Sequence, residues 1–205
     1  MKLLIAVPSL DYVHASFTRS LVKLTMRLKD DGVDFDVRIC TGTLVYIARD
    51  KLAREAIEGG FSHVLWLDSD MIFTEDLLDD LMFSGAEVVT GIAVTRRYPY
   101  LSCIFKTLRP VERITLEEIP REPFEIGGCG FACVLCTVDA LRSVKERTGQ
   151  MFLPEADLGE DLAFCQRYTE GGGRIYAEPC VRLGHVGHVE IYPDDAERLH
   201  GKLEN

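Results

Sequence analysis

The sequence has no long apolar run and no excess of positive charge, and these two absences exclude several functions. No segment approaches the ~20 consecutive apolar residues of a transmembrane helix, so we expect no membrane span. Lys and Arg number 23 against 33 Asp and Glu, which gives a formal net charge of -10. Because such a surface repels phosphate, we expect no duplex nucleic-acid partner. An anionic ligand would need a local source of positive charge at its binding site, such as a metal ion or a few arginine side chains.

The sequence also lacks an even set of cysteines from which a disulfide framework could be built. There are seven, and several sit inside apolar runs such as "GFACVLCTV", where a free thiol packs like a small hydrophobic group. We interpret them as reduced, which favours the cytoplasm. The early proline of "MKLLIAVPSL" disfavours a signal peptide. A zinc site at Cys129, Cys133 and Cys136 is the weaker alternative, because no second cysteine pair accompanies them.

The order of apolar patterns predicts an α/β fold. Strand-like runs ("KLLIAVP", "VDFDVRIC", "FSHVLWLD", "AEVVTGIAV") alternate with helix-like stretches through residue 94, including one over 44–57 and one with Thr74 as its N-cap. This alternation predicts a Rossmann-like, mostly parallel central sheet flanked by helices. The pattern then loosens into a mixed C-terminal half with antiparallel excursions. The length suits a single domain over 1–205, divided into halves 1–94 and 95–190 and a tail 191–205.

The stretch "HVLWLDSDM" ends an apolar strand in two carboxylates, Asp68 and Asp70. Ligands of open α/β sheets collect at the carboxyl ends of strands, and alternate residues of extended backbone point the same way. Two carboxylates there form a site for a hard divalent cation. A simple strand-end turn, with an Asp capping the next helix, is the alternative.

Three further segments carry candidate site residues, each with an ordinary structural alternative. "LGEDLAFC" places Glu160 and Asp161 in the first turn of a predicted helix, where acidic residues are common for electrostatic reasons. "LGHVGHV" places His185 and His188 among glycines that allow close backbone approach. "EIGGCGFA" is either a tight turn or a loop lying against a substrate. His14, His63 and His200 are interpreted as polar surface.

Taken in order, "VLWLDSDM", "GGCGFACVL", "GEDLAFCQRYTEGGGRIYAEP" and "VRLGHVG" resemble the glycosyltransferase-A superfamily. The closer resemblance is to small bacterial and phage family-2-like nucleotide-sugar glycosyltransferases, and it extends from Leu4 to about Gly187. The resemblance implies a metal-dependent glycosyltransferase that moves a sugar from a UDP- or GDP-sugar to a glycan or other hydroxyl acceptor, with inversion expected.

On the donor side, the resemblance implies that "DSD" is the DXD motif, whose carboxylates bind Mn²⁺ or Mg²⁺ at the nucleotide diphosphate. Asp70 is the implied metal ligand, while Asp68 faces the ribose or the metal. His185 matches a late histidine that completes the metal site in some members, with His188 as the fallback. The implied nucleotide-binding set is Pro8, Ser9, Arg49, Asp68 and Ser69.

On the acceptor side, the resemblance implies that Asp161 is the general base of an inverting transfer and that Glu160 clamps the substrate. The implied donor-sugar and acceptor loop contains Gly127, Gly128 and Gly130. The acceptor site is expected to be built from residues 95–125 and the C-terminal tail.

Two other functions remain open from the sequence. A sugar nucleotidyltransferase on a similar fold would have a glycine-rich phosphate loop after its first strand, whereas "VPSLDYVHASFTR" contains no glycine. A non-catalytic transferase-like domain that binds sugar or protein is the other alternative. Joint stabilisation by metal and a nucleoside diphosphate distinguishes the transferase from this second alternative.

Overall fold

The computed structural model describes residues 1–187. Its helices are α1 (Ala15–Asp30), α2 (Val45–Glu58), α3 (Leu77–Met82), α4 (Val138–Thr148) and α5 (Glu160–Glu170). Its strands are β1 (Lys2–Pro8), β2 (Asp34–Cys40), β3 (His63–Leu67), β4 (Met71–Ile72), β5 (Val88–Gly91), β6 (Ile104–Leu108), β7 (Val111–Arg113), β8 (Phe124–Ile126), β9 (Gly128–Cys129), β10 (Cys133–Thr137), β11 (Ile175–Glu178) and β12 (Gly184–His185).

A seven-stranded sheet forms the centre, in the order β2-β1-β3-β10-β5-β11-β8. Strands β2, β1, β3, β5 and β11 run in one direction, while β10 and β8 run against their neighbours. The prediction of a mostly parallel sheet flanked by helices is therefore confirmed. The pattern did not predict that β10, from the second half of the chain, lies between β3 and β5.

Both faces of the sheet are covered, which explains the continuous apolar runs of its inner strands. In β3, Val64 and Trp66 pack into one core and Leu65 and Leu67 into the other. Helices α1 and α3 cover the second of these cores, and α2, α4 and α5 cover the first. The carboxyl ends of the inner strands β1 and β3 border an open cavity.

Helix α3 begins later than the sequence predicts. Its N-cap is Asp76 rather than Thr74, and Asp76 makes no side-chain capping bond. The Asp76 carboxylate instead accepts a hydrogen bond from Arg27 of α1 at 2.5 Å. Arg27, 49 residues earlier in the chain, thus binds the Asp76 carboxylate, which would otherwise be free to cap the helix. The local sequence pattern around Asp76 cannot predict such a distant partner.

The predicted antiparallel excursions are present as two small sheets beside the main one. Strands β7, β6 and β9 form a three-stranded antiparallel sheet, and β12 pairs antiparallel with β4. Between residues 1 and 187, no helix is long and apolar enough to cross a membrane. His188, His200 and the predicted tail 191–205 lie outside the described residues.

Candidate active site

A cavity of about 450 Å³ opens at the carboxyl ends of β1 and β3. The chain turns directly after β3, where the Met71 amide donates to the Asp68 carbonyl at 3.1 Å. Asp68 and Asp70 therefore stand on a turn, not on the extended backbone that the sequence predicts. The turn arises because β4 begins at Met71 and pairs with β12 outside the main sheet. The cavity is lined by residues 8–12, His14, Thr43, Val45, residues 68–70, Arg96, His185 and Val186.

Asp70 is held between the side chains of Arg96 and His185. The pairing of β12 with β4 places His185 opposite Met71, so its Nε2 lies 3.4 Å from the Asp70 carboxylate, and Arg96 forms an ion pair with the other oxygen. Nδ1 of His185 donates to the Val94 carbonyl at 2.7 Å. Burial acts to raise the pKa of Asp70, but the hydrogen bond and charge of His185, with the charge of Arg96, outweigh it and lower that pKa. The hydrogen bond to Asp70 raises the pKa of His185.

The Asp68 carboxylate pairs with a buried arginine, Arg49. Arg49 is 2% exposed, and its Nη2 donates to Asp68 at 2.9 Å while its Nε reaches Glu160 at 3.4 Å. The third nitrogen, Nη1, donates to the Phe131 carbonyl at 3.4 Å. Burial raises the pKa of Asp68, and the charge of Arg49 opposes that rise. Arg49 therefore faces protein groups, whereas the sequence predicts a nucleotide contact, and that contact stays a prediction.

The acidic pair of "GED" begins α5 on the other side of Arg49. Glu160 is the first residue of the helix, and the Asp161 carboxylate accepts the Leu162 amide at 2.7 Å. Burial raises the pKa of Asp161, and the neighbouring Glu160 carboxylate raises it further. An aspartate with a raised pKa accepts a proton more readily near neutral pH, as a general base must.

Of the three predicted glycines of "EIGGCGFA", one lies beside the acidic pair and two serve close packing elsewhere. A Cβ on Gly130 would lie 3.5 Å from the Asp161 carboxylate, so Gly130 borders the acidic pair. A Cβ on Gly127 would lie 2.4 Å from the Lys106 carbonyl oxygen, and Gly128 packs against Leu108 and Cys165. Gly127 and Gly128 thus allow close backbone packing away from the cavity that holds Asp70.

The exit of β1 forms the opposite wall of the cavity. Ser9 is mostly buried, and its hydroxyl donates to the Tyr12 carbonyl at 2.7 Å, which closes the loop after Pro8. Pro8, Ser9 and Ser69 all line the cavity, as predicted for residues near a nucleotide. Their contact with a nucleotide stays a prediction.

Arg96 and His14 are among the cavity residues that were not predicted as site residues. Arg96 lies in a segment without periodicity, and nothing local in the sequence links it to Asp70. His14 was interpreted as polar surface, yet it lines the cavity as the N-cap of α1, accepting the Ser16 amide on its ring. Nothing local in the sequence pointed to it, since Ser9 and Asp11 precede the helix as more usual capping residues.

Within residues 1–187, no group of three or more His, Cys, Asp or Glu side chains is arranged to hold a metal ion. Divalent cations at phosphate sites, however, commonly take only one or two protein carboxylates and fill their shell with phosphates and water. The 3.4 Å between Asp70 and His185 is close to the roughly 3 Å that separates neighbouring ligands in an octahedral shell. Asp70 and His185 are thus spaced like two neighbouring ligands of one cation, and Arg96 would have to leave Asp70 for an ion to bind.

Comparison with known proteins identifies the fold. The chain is similar to A197 from STIV at 19% identity and a TM-score of 0.61, covering 92% of this chain and 87% of that one. It is also similar to the catalytic domain of Drosophila beta1,4galactosyltransferase 7 in complex with xylobiose, at 12% identity and a TM-score of 0.56, with 95% and 78% covered. GalNAc-T7 with UDP, GalNAc and Mn²⁺ matches at 10% identity and a TM-score of 0.53, with 93% and 44% covered.

These likenesses establish a glycosyltransferase-A fold, and at such low identity they establish the fold alone. No protein-family model matches the sequence. No curated protein matches it either.

Proposed function

We propose that this protein is a metal-dependent glycosyltransferase that moves a sugar from a UDP- or GDP-sugar to a hydroxyl of an acceptor. The observation that carries the proposal is that two pairs of acidic residues lie on either side of the buried Arg49. Asp68 and Asp70 line the cavity after β3, and the Glu160–Asp161 pair lies across Arg49 from them. The glycosyltransferase fold of the chain supports the same function.

On the donor side, Asp70, Asp68 and His185 would hold the cation, and Pro8, Ser9 and Ser69 would contact the nucleotide. A bound Mn²⁺ or Mg²⁺ would offset the negative charge of the departing diphosphate. Arg96 would have to exchange its partner Asp70 for a donor phosphate, with which a guanidinium pairs equally well.

On the acceptor side, Asp161 would act as the general base. The acceptor hydroxyl oxygen attacks the anomeric carbon, the bond between that carbon and the diphosphate oxygen breaks, and the hydroxyl proton passes to Asp161. The products are the glycosylated acceptor, with inverted configuration, and a nucleoside diphosphate. Glu160, held by Arg49, would orient the acceptor, and Gly130 leaves space beside the Asp161 carboxylate.

One observation favours a non-catalytic domain as the second candidate. Asp70 already pairs with Arg96 and contacts the ring of His185, and these partners satisfy its carboxylate without a metal ion. In that case the carboxylates of "DSD" would serve the local structure only, and neither metal nor nucleotide would bind there.

A thermal-shift panel with UDP, GDP, CDP and ADP, each with and without Mn²⁺, tests the proposal. A nucleotide at 100 times its dissociation constant stabilises the folded state by about 2.7 kcal/mol, or roughly 5–10 °C in Tm for a chain of this size. We expect one uridine or guanosine nucleotide to stabilise the chain and to need Mn²⁺ for it. Asp70→Ala should abolish that shift, while Asp30→Ala, at an exposed site on α1, should retain it. The absence of any nucleotide shift would support the non-catalytic candidate.

A further inference from the structure

A short hairpin, residues 94–102, stands beside the cavity and is firmly anchored at its base. Val94 pairs with Ser102 across an antiparallel bridge, and the Thr95 amide donates to the Leu101 carbonyl at 2.8 Å. Ser102 is buried, with its hydroxyl bonded to the carbonyl of Ile114. The hairpin is thus an ordered element with a fixed stem, not a loose connection.

The two arms of the hairpin lead to the two halves of the proposed reaction. In the first arm, the Val94 carbonyl accepts from His185 and Arg96 pairs with Asp70. The second arm continues into Cys103, whose carbonyl accepts the Gly130 amide at 2.9 Å. Since Gly130 borders the Asp161 carboxylate, the second arm leads from the hairpin towards the acidic pair.

The tip of the hairpin exposes two tyrosines. Tyr98 is 86% exposed and Tyr100 51% exposed, and their rings meet edge to face with centroids 6.2 Å apart. Tyr100 has a φ of 46°, in the left-handed region that residues with bulky side chains seldom adopt. Its amide donates to the Arg97 carbonyl at 3.0 Å, which closes the turn in this conformation. Strained backbone that carries an exposed aromatic ring is more typical of a binding element than of a plain connection.

We propose that the tip of hairpin 94–102 is the acceptor platform and that its ligand is a carbohydrate ring. This inference rests on the proposed function, because the hairpin borders the groups assigned to that reaction. The two tyrosine rings are set at right angles and offer separate faces of about one pyranose each, and Leu101 beside them is 43% exposed. The apolar C–H face of a sugar stacks on such a ring, and the Tyr hydroxyls and Arg97 supply hydrogen bonds to its hydroxyl groups.

The surrounding charge favours a glycan over an apolar peptide. Arg96 and Arg97 flank the tip, and Arg97 forms no ion pair within the described residues. An apolar partner would have to remove these guanidinium groups from water without replacing their hydrogen bonds, which is unfavourable. Sugar hydroxyls do replace them, and tyrosine loses little conformational entropy on binding.

The test compares glycan binding by the wild type and two tip variants, Tyr98→Ala/Tyr100→Ala and Tyr98→Ala alone. The single variant leaves the left-handed backbone of Tyr100 unchanged. The probe is an array of immobilised mono- to tetrasaccharide glycosides, read with labelled protein. We expect the wild type to bind a subset of the array and the double variant to bind it at least about tenfold more weakly. Tyr98→Phe should keep the binding because it keeps the ring.

Two controls distinguish a loss of glycan binding at the tip from a general loss of folding or of exposed aromatic surface. Phe83→Ala removes an equally exposed aromatic ring (74% exposed) next to α3, and should leave glycan binding unchanged. The stabilisation by nucleotide with Mn²⁺ should be the same in the tip variants as in the wild type, because the tip tyrosines do not line the cavity.

The outcomes distinguish this inference from the proposed function. Equal glycan binding by wild type and double variant overturns the platform, even if the nucleotide shift is present. Glycan binding that depends on Tyr98 and Tyr100, without any nucleotide shift, supports the platform and removes the transferase. Absence of binding to every glycan, or tyrosine-dependent binding to lipid vesicles instead, overturns the inference.

Discussion

At the scale of single residues, Arg49 connects the two acidic parts of the candidate site. A buried guanidinium is costly to desolvate, and the cost is offset only where its nitrogens find partners. Arg49 has three, Asp68, Glu160 and the Phe131 carbonyl, and it lies over the rings of Trp66 and Phe131. Arg49 therefore acts as a positioning residue that fixes both carboxylates relative to the sheet.

Arg49→Lys tests this role, because lysine keeps the charge but loses the planar fork. We expect a loss of about 1–3 kcal/mol in the free energy of unfolding, measured by urea denaturation, as one or more buried partners are left unsatisfied. Arg54→Lys is the matched control on the same helix, where the arginine makes only an exposed pair with Asp50, and it should change stability by less than about 0.5 kcal/mol. Equal effects of the two substitutions would contradict the positioning role.

Asp161 predicts a pH dependence of stability. Because burial raises its pKa in the folded state, the folded chain binds this proton more tightly than the unfolded chain, and this stabilising effect is lost as pH rises through the folded pKa. Asp161→Asn removes the ionisable carboxyl group, so the variant does not lose this stability as pH rises. We expect the variant to melt about 1–4 °C above the wild type at pH 7 and the gap to close towards pH 4. A gap that widened on acidification would contradict the raised pKa.

At the scale of elements, some features follow from local pattern and others do not. The apolar run of β1 and the spacing of Ala48 and Leu52 on α2 predict those elements closely. Arg49 itself lies on the buried face of α2, since positions 49, 52, 53 and 56 follow helical spacing. The sequence already showed Arg49 on the apolar face of this helix, and that position indicated that Arg49 would be buried.

The features that sequence could not predict all depend on partners distant in the chain. An apolar strand pattern identifies β10 but does not say which strands it pairs with, so its place between β3 and β5 was not predictable. The Arg96–Asp70 pair and the Arg27–Asp76 contact that delays α3 are of the same kind. Asp68, Asp70 and His185 were expected together from motif order, and they do line one cavity.

The end of α4 provides a test at this scale. Gly149 caps the helix with a φ of 73°, and a Cβ there would meet nothing within 4 Å. The cost of a side chain is therefore conformational only. We expect Gly149→Ala to lower the free energy of unfolding by about 1 kcal/mol and Gly149→Asn to lower it less, since Asn tolerates this conformation better. Chemical denaturation of both variants measures this, and an alanine variant as stable as wild type would contradict the left-handed cap.

At the scale of the whole molecule, a chain with a formal net charge of -10 would need local positive charge to bind the proposed anionic donor. Strands from both halves form one sheet, so the donor cavity and the acidic pair are fixed within a single framework. The cavity itself offers the Arg96 guanidinium as a positive charge, and a divalent cation at Asp70 would add to it. Metal and nucleotide should accordingly bind together.

The most direct test of this account is a Mn²⁺ titration followed by electron paramagnetic resonance, in which free Mn²⁺ gives the signal. In the presence of the stabilising nucleotide, the wild type should take up about one Mn²⁺ per chain, and far less without the nucleotide, because phosphates complete the ion's shell. Asp70→Ala should lose this uptake and Asp30→Ala should keep it. Uptake by Asp70→Ala equal to that of the wild type would contradict the assignment of the cation to the carboxylates after β3.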